Sequence, residues 1–328
     1  MTAQPIPEIT LTQVATLTDA ILSEVENAVI GKHLVLKKMI AALLASGGHI
    51  LLEDNPGLAK TLIANSFATV LGLTFKRIQF TPDLLPGDIT GGYVFDHNKN
   101  QFSLRKGPIF TQLLLADEIN RASPKTQSAL LEAMQEYQVS LEGETQTLPS
   151  PFMVIATQNP IESEGTFPLP EAQLDRFLVK LSIGYPLPAE EQEMLHRRRE
   201  RKQDTFELGA IIQQNTFLGM QQAIEEVFIE PDLEKYIVNL VGQTRLHRQV
   251  VVGASPRGSL ALLKISRAWA AIHGRNYVIP DDVKTLAPHV LCHRIILEPS
   301  LWGARNAEIT IMDEILHTVP VPVLKTSA

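Results

Sequence analysis

The strongest constraint on this chain is one short passage in which an apolar strand runs through a tight loop into a helix that begins Lys-Thr. The strand is His49–Glu53, the loop is Asp54-Asn55-Pro56-Gly57-Leu58-Ala59, and the helix opens with Lys60-Thr61-Leu62. Loop N–H groups and a helix N-terminus aimed at one point suit an anion, above all a triphosphate. The Lys60 ammonium would reach the β- and γ-phosphates, and the Thr61 hydroxyl would ligand Mg²⁺. The full G-x-x-x-x-G-K-[ST] pattern has glycine where this chain has Asp54 and Ala59; Gly57 is present. Taken alone, the passage also fits an ordinary strand–turn–helix.

A second element shifts the balance. Gln112–Asp117 is an apolar strand that ends in two carboxylates, Asp117 and Glu118. In phosphoryl transfer the first would hold Mg²⁺, directly or through water, and the second would polarise the attacking water. Both motifs in this order argue against a merely solvated strand end. The strand Phe152–Thr157 then ends in Gln158-Asn159-Pro160. There the Asn159 amide would hold the water or the γ-phosphate, or else simply cap the turn before Pro160. Arg176, in Leu174-Asp175-Arg176-Phe177, cannot easily reach a nucleotide on its own chain if these strands form one sheet. It would reach a neighbour's, and an arginine supplied from another subunit stabilises phosphoryl-transfer charge. Its plainer role is an ion pair with Asp175. Ser255-Pro256-Arg257 opens a later helix. From there the guanidinium would close onto the phosphates and couple lid position to nucleotide state, or face solvent in a first turn where the dipole disfavours it.

Five strand-like runs, His49–Glu53, Phe75–Phe80, Gln112–Asp117, Phe152–Thr157 and Leu178–Ile183, alternate with helical patterns such as Lys60–Leu71 and Lys125–Tyr137. That alternation predicts an α/β fold with right-handed crossovers and a mostly parallel sheet, its apolar strands buried on both faces. Tyr93–Phe95 with Phe102–Leu104, around His97-Asn98-Lys99-Asn100, and Val139–Leu141 with Thr145–Leu148 read as two projecting hairpins. Leu11–Ala45 carries helical periodicity, broken at Val29-Ile30-Gly31. Beyond the linker Gly184-Tyr185-Pro186-Leu187-Pro188 the strand pattern largely stops, and Ala189–Lys202, Pro231–Leu246, Ser255–His273 and Pro280–His293 read as helices. A length of 328 residues suggests about two domains. These are an αβα core over 1–186 and an all-helical part over 187–328.

Composition narrows the rest. A net charge of −7 argues against a general nucleic-acid-binding surface. Cys292 is the single cysteine, so there is no internal disulfide framework. No apolar run approaches the ~18 residues of a membrane span. No basic residue precedes Lys32, so the expectation is a cytoplasmic chain without a signal peptide.

Together these residues resemble the AAA+ ATPases and, within them, the MoxR family, over roughly residues 14–300. The most specific stretches are DEINRASPKTQSALLE (Asp117–Glu132) and ATQNPIESEGTFPLPEAQLDRF (Ala156–Phe177). RIQFTPDLLPGD from Arg77 and GASPR from Gly253 are similar too, and MoxR loops tolerate Asp54 and Ala59. The resemblance implies an AAA+ core with a five-stranded parallel sheet and an all-helical lid, binding ATP and Mg²⁺. It makes Lys60 and Thr61 the Walker A pair, within a nucleotide-binding set Asn55, Pro56, Gly57, Leu58, Ala59, Lys60, Thr61, Leu62 and Asp117. Asp117 and Glu118 become Walker B, Asn159 sensor 1, Arg176 the arginine finger and Arg257 sensor 2. Thr61 and Asp117 would hold Mg²⁺, and Val29, Ile30 and Gly31 would line the adenine pocket. The hairpins correspond to the helix-2 and pre-sensor-1 inserts, which face the pore or client in related motors. Arg121 ranks below Arg176 as a contact across subunits. The resemblance further implies a homo-oligomeric ring, a hexamer. Its work would be chaperone-like remodelling, assembly or metal-cofactor activation of a client, with a von Willebrand factor A domain protein as partner. A nucleic-acid-stimulated motor and a nucleotide-gated scaffold with little hydrolysis are the alternatives.

Three weaker features have plain readings. His289, Cys292 and His293 do not form a closed tetrahedral set and fit a lid core better than a metal site. His196–Lys202 reads as a solvated helix face paired with Glu190, Glu191, Glu193 and Glu200. Trp269 and Trp302 read as packing residues, Trp302 also as a subunit contact.

Overall fold

The computed structural model describes residues 5–96, 100–160, 165–304 and 306–322. The chain starts with α1 (Leu11–Ala28), opened by a Thr10–Gln13 capping box, and α2 (His33–Leu44). The break between them turns at Gly31, whose φ is +75°. Then follow β1 (Ile50–Glu53), α3 (Lys60–Val70), β2 (Phe75–Gln79), the short α4 (Pro86–Thr90), and a hairpin of β3 (Gly91–Asp96) and β4 (Gln101–Lys106). Of its expected turn, residues 97–99 lie outside the described residues. β5 (Leu113–Asp117), α5 (Pro124–Glu136), a second hairpin of β6 (Gln138–Leu141) and β7 (Glu144–Thr147), β8 (Met153–Gln158), α6 (Glu171–Leu174) and β9 (Val179–Leu181) complete the core.

Five strands form one parallel sheet in the order β2-β5-β8-β1-β9. Every residue of β5 and the first five of β8 are buried, as expected for strands covered on both faces. The two-residue period divides their side chains between two cores. Leu51, Leu114, Ala116, Val154 and Ala156 pack with Leu130, Leu131 and Met134 of α5. Ile50, Leu52, Leu113, Leu115, Met153 and Ile155 pack with α1, α2 and α3.

The second core does not stop where the sheet stops. It runs on through α8 (Gln214–Glu225), α9 (Pro231–Leu246), α10 (Pro256–Ile272), α11 (Pro280–Leu291) and α12 (Ala307–Thr318), because α8 and α10 pack on α1 and α2. α7 (Pro188–Arg201), which begins at the linker, has no buried residue. The expectation of an all-helical second part needs one addition, a ladder of β10 (Val250–Val252) and β11 (Ile296–Leu297). The sequence reading did not single out α8 and α12. α12 buries only Ile311, Met312 and Ile315, so its apolar stripe is thin. Among the described residues no helix is long and apolar enough to cross a membrane.

Candidate functional site

All five parallel strands point their C-terminal ends the same way, and the loop after β1 lies at that end. There Pro56–Leu62 line a cleft of about 410 Å³ together with Asp117, Glu118 and Asn159. The structure therefore gathers Lys60, Thr61, both carboxylates and the amide around one cavity. A lysine, a hydroxyl and a carboxylate in one cleft are a donor set that fits a magnesium–triphosphate.

The two departures from the glycine-rich pattern have different structural consequences. Asp54 is buried, and its carboxylate accepts hydrogen bonds from Ser182 Oγ (2.7 Å), Ile183 N–H (2.6 Å) and Gly184 N–H (3.1 Å). It staples the loop to the segment that leaves β9. Ala59 sits at φ +57°, the left-handed region, immediately before α3. A residue with Cβ costs roughly 1–2 kcal/mol there. Lys60 Nζ donates to the carbonyls of Asp54 (2.6 Å) and Asn55 (3.0 Å). Burial lowers its pKa, opposed by Asp54, Asp117 and Glu118.

The carboxylate pair is held by Thr157, Arg77 and Gln79, to which the sequence assigned no role, and by Arg121, expected as a contact across subunits. Thr157 Oγ1 donates to Asp117 Oδ1 (2.6 Å) and accepts the Glu118 N–H (2.8 Å), locking both residues to β8. Asp117 Oδ2 accepts from Arg77 Nε (3.0 Å) and Nη2 (2.8 Å). Glu118 Oε2 accepts from Gln79 Nε2 (2.7 Å) and Arg121 Nη1 (3.0 Å). Glu118 itself has φ +56°, a strained conformation of the kind that accumulates at working sites. Arg77 and Gln79 alternate on edge strand β2, opposite Leu115 and Asp117 in register. That period-two spacing is the signal that would have found them.

Val29 is buried and Ile30 half-buried. Gly31 sits at φ +75°, which favours glycine, and the flexible end of the Glu190 side chain at the start of α7 lies over it. Lys32 Nζ donates to the Tyr185 carbonyl (2.8 Å), and Asn55 Nδ2 to the Tyr185 hydroxyl (3.1 Å). Tyr185 thus bridges the Val29–Gly31 segment and the phosphate loop, a role that its place in a linker concealed.

Arg176 and Arg257 lie elsewhere. They line a separate cleft of about 310 Å³ at the opposite, N-terminal end of the sheet, with His49, Asp175, Lys264 and Arg294. Arg257 therefore lies apart from the Lys60 cleft of its own chain. The N-terminus of α10 is tied down instead, by Ser255 Oγ donating to Asp175 Oδ2 (2.9 Å) and Arg245 Nε donating to the Ala254 carbonyl (2.9 Å). Arg176 is also not paired with Asp175; its Nε is buried with no hydrogen-bond partner among the described residues. Burial and the nearby Arg257 charge lower the Arg176 pKa. Arg176 and Arg257 share this cleft with Asp175, whose carboxylate is taken up by Ser255 and Arg294 rather than by either of them.

The weaker features resolve plainly. His289 Nε2 meets Lys38 Nζ at 2.6 Å, and burial with that neighbouring charge pushes its pKa down to about 4. Burial pushes the Cys292 thiol up to about 12 and His293 far down. On α7, Arg197 pairs with Glu193 (2.7 Å) and His196 with Glu200 (3.4 Å). Trp302 is exposed and Trp269 buried. The hairpins touch through Tyr93 and Glu144, and Phe95 stacks edge-on with the exposed Phe102.

Comparison with known proteins agrees with this geometry. Residues 49–179 match the family described as "ATPase family associated with various cellular activities (AAA)", and residues 242–315 match the AAA lid domain. The chain is 44% identical to "Chaperone MoxR1" of Mycobacterium tuberculosis, over 94% of this chain and 83% of that protein. It is 46% identical to the YeaC protein of Bacillus subtilis, over 93% of this chain and 95% of the relative. A solved crystal structure from Cytophaga hutchinsonii superposes with a TM-score of 0.87 at 39% identity, covering 95% of this chain and 97% of the other.

Proposed function

Because the chain belongs to the MoxR family of AAA ATPases, we propose that it hydrolyses ATP at the interfaces of a homo-oligomeric ring, a hexamer, and uses the cycle to remodel a client protein. The observation that carries this reading is the separation of two half-sites. Lys60, Thr61, Asp117, Glu118 and Asn159 share one cleft, while Arg176 and Arg257 share another at the far end of the sheet. Neither half is complete alone, and a head-to-tail contact between copies would join them.

Bound Mg²⁺–ATP supplies the phosphoryl group and its counter-charge. Lys60 would bind the β- and γ-phosphates, and Thr61 and Asp117 would hold the metal. Glu118 polarises the attacking water, and Asn159 orients it. The guanidiniums of Arg176 and Arg257, from the next subunit, neutralise charge that develops at the γ-phosphate. Val29, Ile30 and Gly31, with Tyr185, form the adenine wall. The nucleotide core spans residues 1–186 and the lid 187–328. The exposed Phe102 on the β3–β4 hairpin offers an apolar contact for a client. A von Willebrand factor A domain protein is the proposed adaptor. The chain acts in the cytoplasm.

Glu118→Gln should bind ATP, stop turnover and stabilise the ring; unchanged turnover would overturn the role of Glu118. Mixing Arg176→Ala subunits with Lys60→Ala subunits should restore part of the activity that each lacks alone.

A further inference from the structure

Asp175 sits between the two arginines of the second cleft and pairs with neither. Its Oδ1 accepts from Arg294 Nε at 2.8 Å and its Oδ2 from Ser255 Oγ at 2.9 Å. Arg294 comes from the single 3₁₀ turn Cys292–Arg294 after α11, and its side chain is only 2% exposed. Its remaining donors go mainly to backbone carbonyls, with Nη1 also meeting the His293 Nε2 at 2.8 Å. Nη2 reaches those of Phe177 (2.6 Å) and Asp175 (3.3 Å), and Nη1 reaches those of Leu178 (3.3 Å) and Val290. The guanidinium therefore grips the chain on both sides of Arg176. Ser255 is the N-cap of α10, two residues before Arg257. One half-buried carboxylate thus joins the turn that carries Arg294, the turn that carries Arg176, and the helix start that carries Arg257.

Stability alone does not account for such a group. A buried ion pair contributes little over well-packed apolar residues, whereas a fully hydrogen-bonded network fixes geometry. We propose that Asp175 and Arg294 are positioning residues. They form a clamp that holds Arg176 and Arg257 as one unit, so that both reach the same nucleotide on a neighbouring subunit. The proposal rests on the trans reading above and adds what makes the two arginines act together. The clamp holds the backbone from which both arginines project, and so presets where they meet the neighbour's phosphates.

Arg294→Lys keeps the charge but loses the fork, and Asp175→Asn keeps the shape but loses the charge. With the full chain, each should keep its circular dichroism spectrum and its affinity for a fluorescent ATP analogue, while kcat falls about tenfold or more and KM changes little. Ser255→Ala, which frees only the Arg257 side, should give a smaller loss. The deciding measurement is subunit mixing. An Arg294→Lys subunit keeps its own Lys60 cleft, and a Lys60→Ala subunit keeps an intact clamp, so mixing the two should restore turnover. Recovery supports the clamp. Recovery with Arg176→Ala but not with Arg294→Lys subunits, or an Arg294→Lys protein with lowered thermal stability and unchanged kcat, overturns it. Failure of both mixtures overturns the trans reading and the clamp with it.

Discussion

Asp54 occupies a position where the general phosphate-loop pattern has glycine, so Asp54→Gly looks on paper like a repair. The structure predicts the opposite. Asp54 is not at positive φ, so glycine relieves nothing there. What is lost is an acceptor for three donors. The Ser182 side chain is exposed and turns to water at little cost. The N–H groups of buried Ile183 and half-buried Gly184 have no such option. Hydrogen bonds to a charged acceptor are worth about 1.5–3 kcal/mol each, so their loss costs about 3 kcal/mol. Glycine adds roughly 0.5 kcal/mol of unfolded-state entropy. At about 2–4 °C per kcal/mol, thermal unfolding followed by circular dichroism should move down by about 6 °C or more. Because the staple joins the phosphate loop to the segment after β9, affinity for a fluorescent ATP analogue should also weaken. Asp54→Asn keeps one acceptor oxygen and should fall between. An unchanged melting temperature in Asp54→Gly, or tighter nucleotide binding, would refute the reasoning.

Three further outcomes follow from the same geometry. Ala59→Gly, at φ +57°, should stabilise the protein by roughly 0.5–1 kcal/mol in urea denaturation, opposite in sign to Asp54→Gly. Thr157→Val, nearly isosteric, strips the hydroxyl that accepts the Glu118 N–H and donates to Asp117; steady-state assays should show kcat reduced by about tenfold, with about 1–3 kcal/mol of stability lost. Burial depresses the His49 pKa to about 4, and its Nδ1 must stay unprotonated to accept the Val154 N–H. A folded value below the unfolded one means stability is full above about pH 6.5 and is lost as pH falls toward 4, by about 3 kcal/mol. Melting curves of the wild type and of His49→Asn at both pH values should show a shallower acid slope in the variant.

The sheet was legible because its strands are continuous apolar runs bounded by turn residues. The spans expected for β1 and β5 differ from the observed ones by one residue, at the N-terminal end. The phosphate loop and the carboxylates were legible because strand ends carry them in a fixed order. What stayed hidden depends on register between strands or on packing between distant segments. Arg77 and Gln79 reach Asp117 and Glu118 only because β2 pairs with β5 in that register. The role of Asp54, a departure from the general loop pattern, stayed hidden because its partners lie far along the chain. The place of Arg257 away from the Lys60 cleft was hidden because nothing in Ser255-Pro256-Arg257 reveals that Ser255 is tied to Asp175.

The position of the two clefts restricts how copies can assemble. The phosphate cleft opens at the C-terminal ends of the strands and the arginine cleft at their N-terminal ends, so the half-sites are different surfaces of one subunit. A two-fold interface pairs one patch with its own copy, so it could join the two clefts only if both lay on that patch, which their places at opposite ends of the sheet disfavour. Joining them needs a heterologous contact, which closes into a ring when its rotation divides a full turn and otherwise runs on as a filament. The lid enters this choice directly. It shares one apolar core with α1 and α2, which flank the Val29–Gly31 segment, and it also carries Arg257 and Arg294. In the proposed ring, a shift of the lid in one subunit would therefore disturb the Val29–Gly31 segment and Arg257 at the same time, and that shared body would give a nucleotide on one subunit a mechanical route to the next.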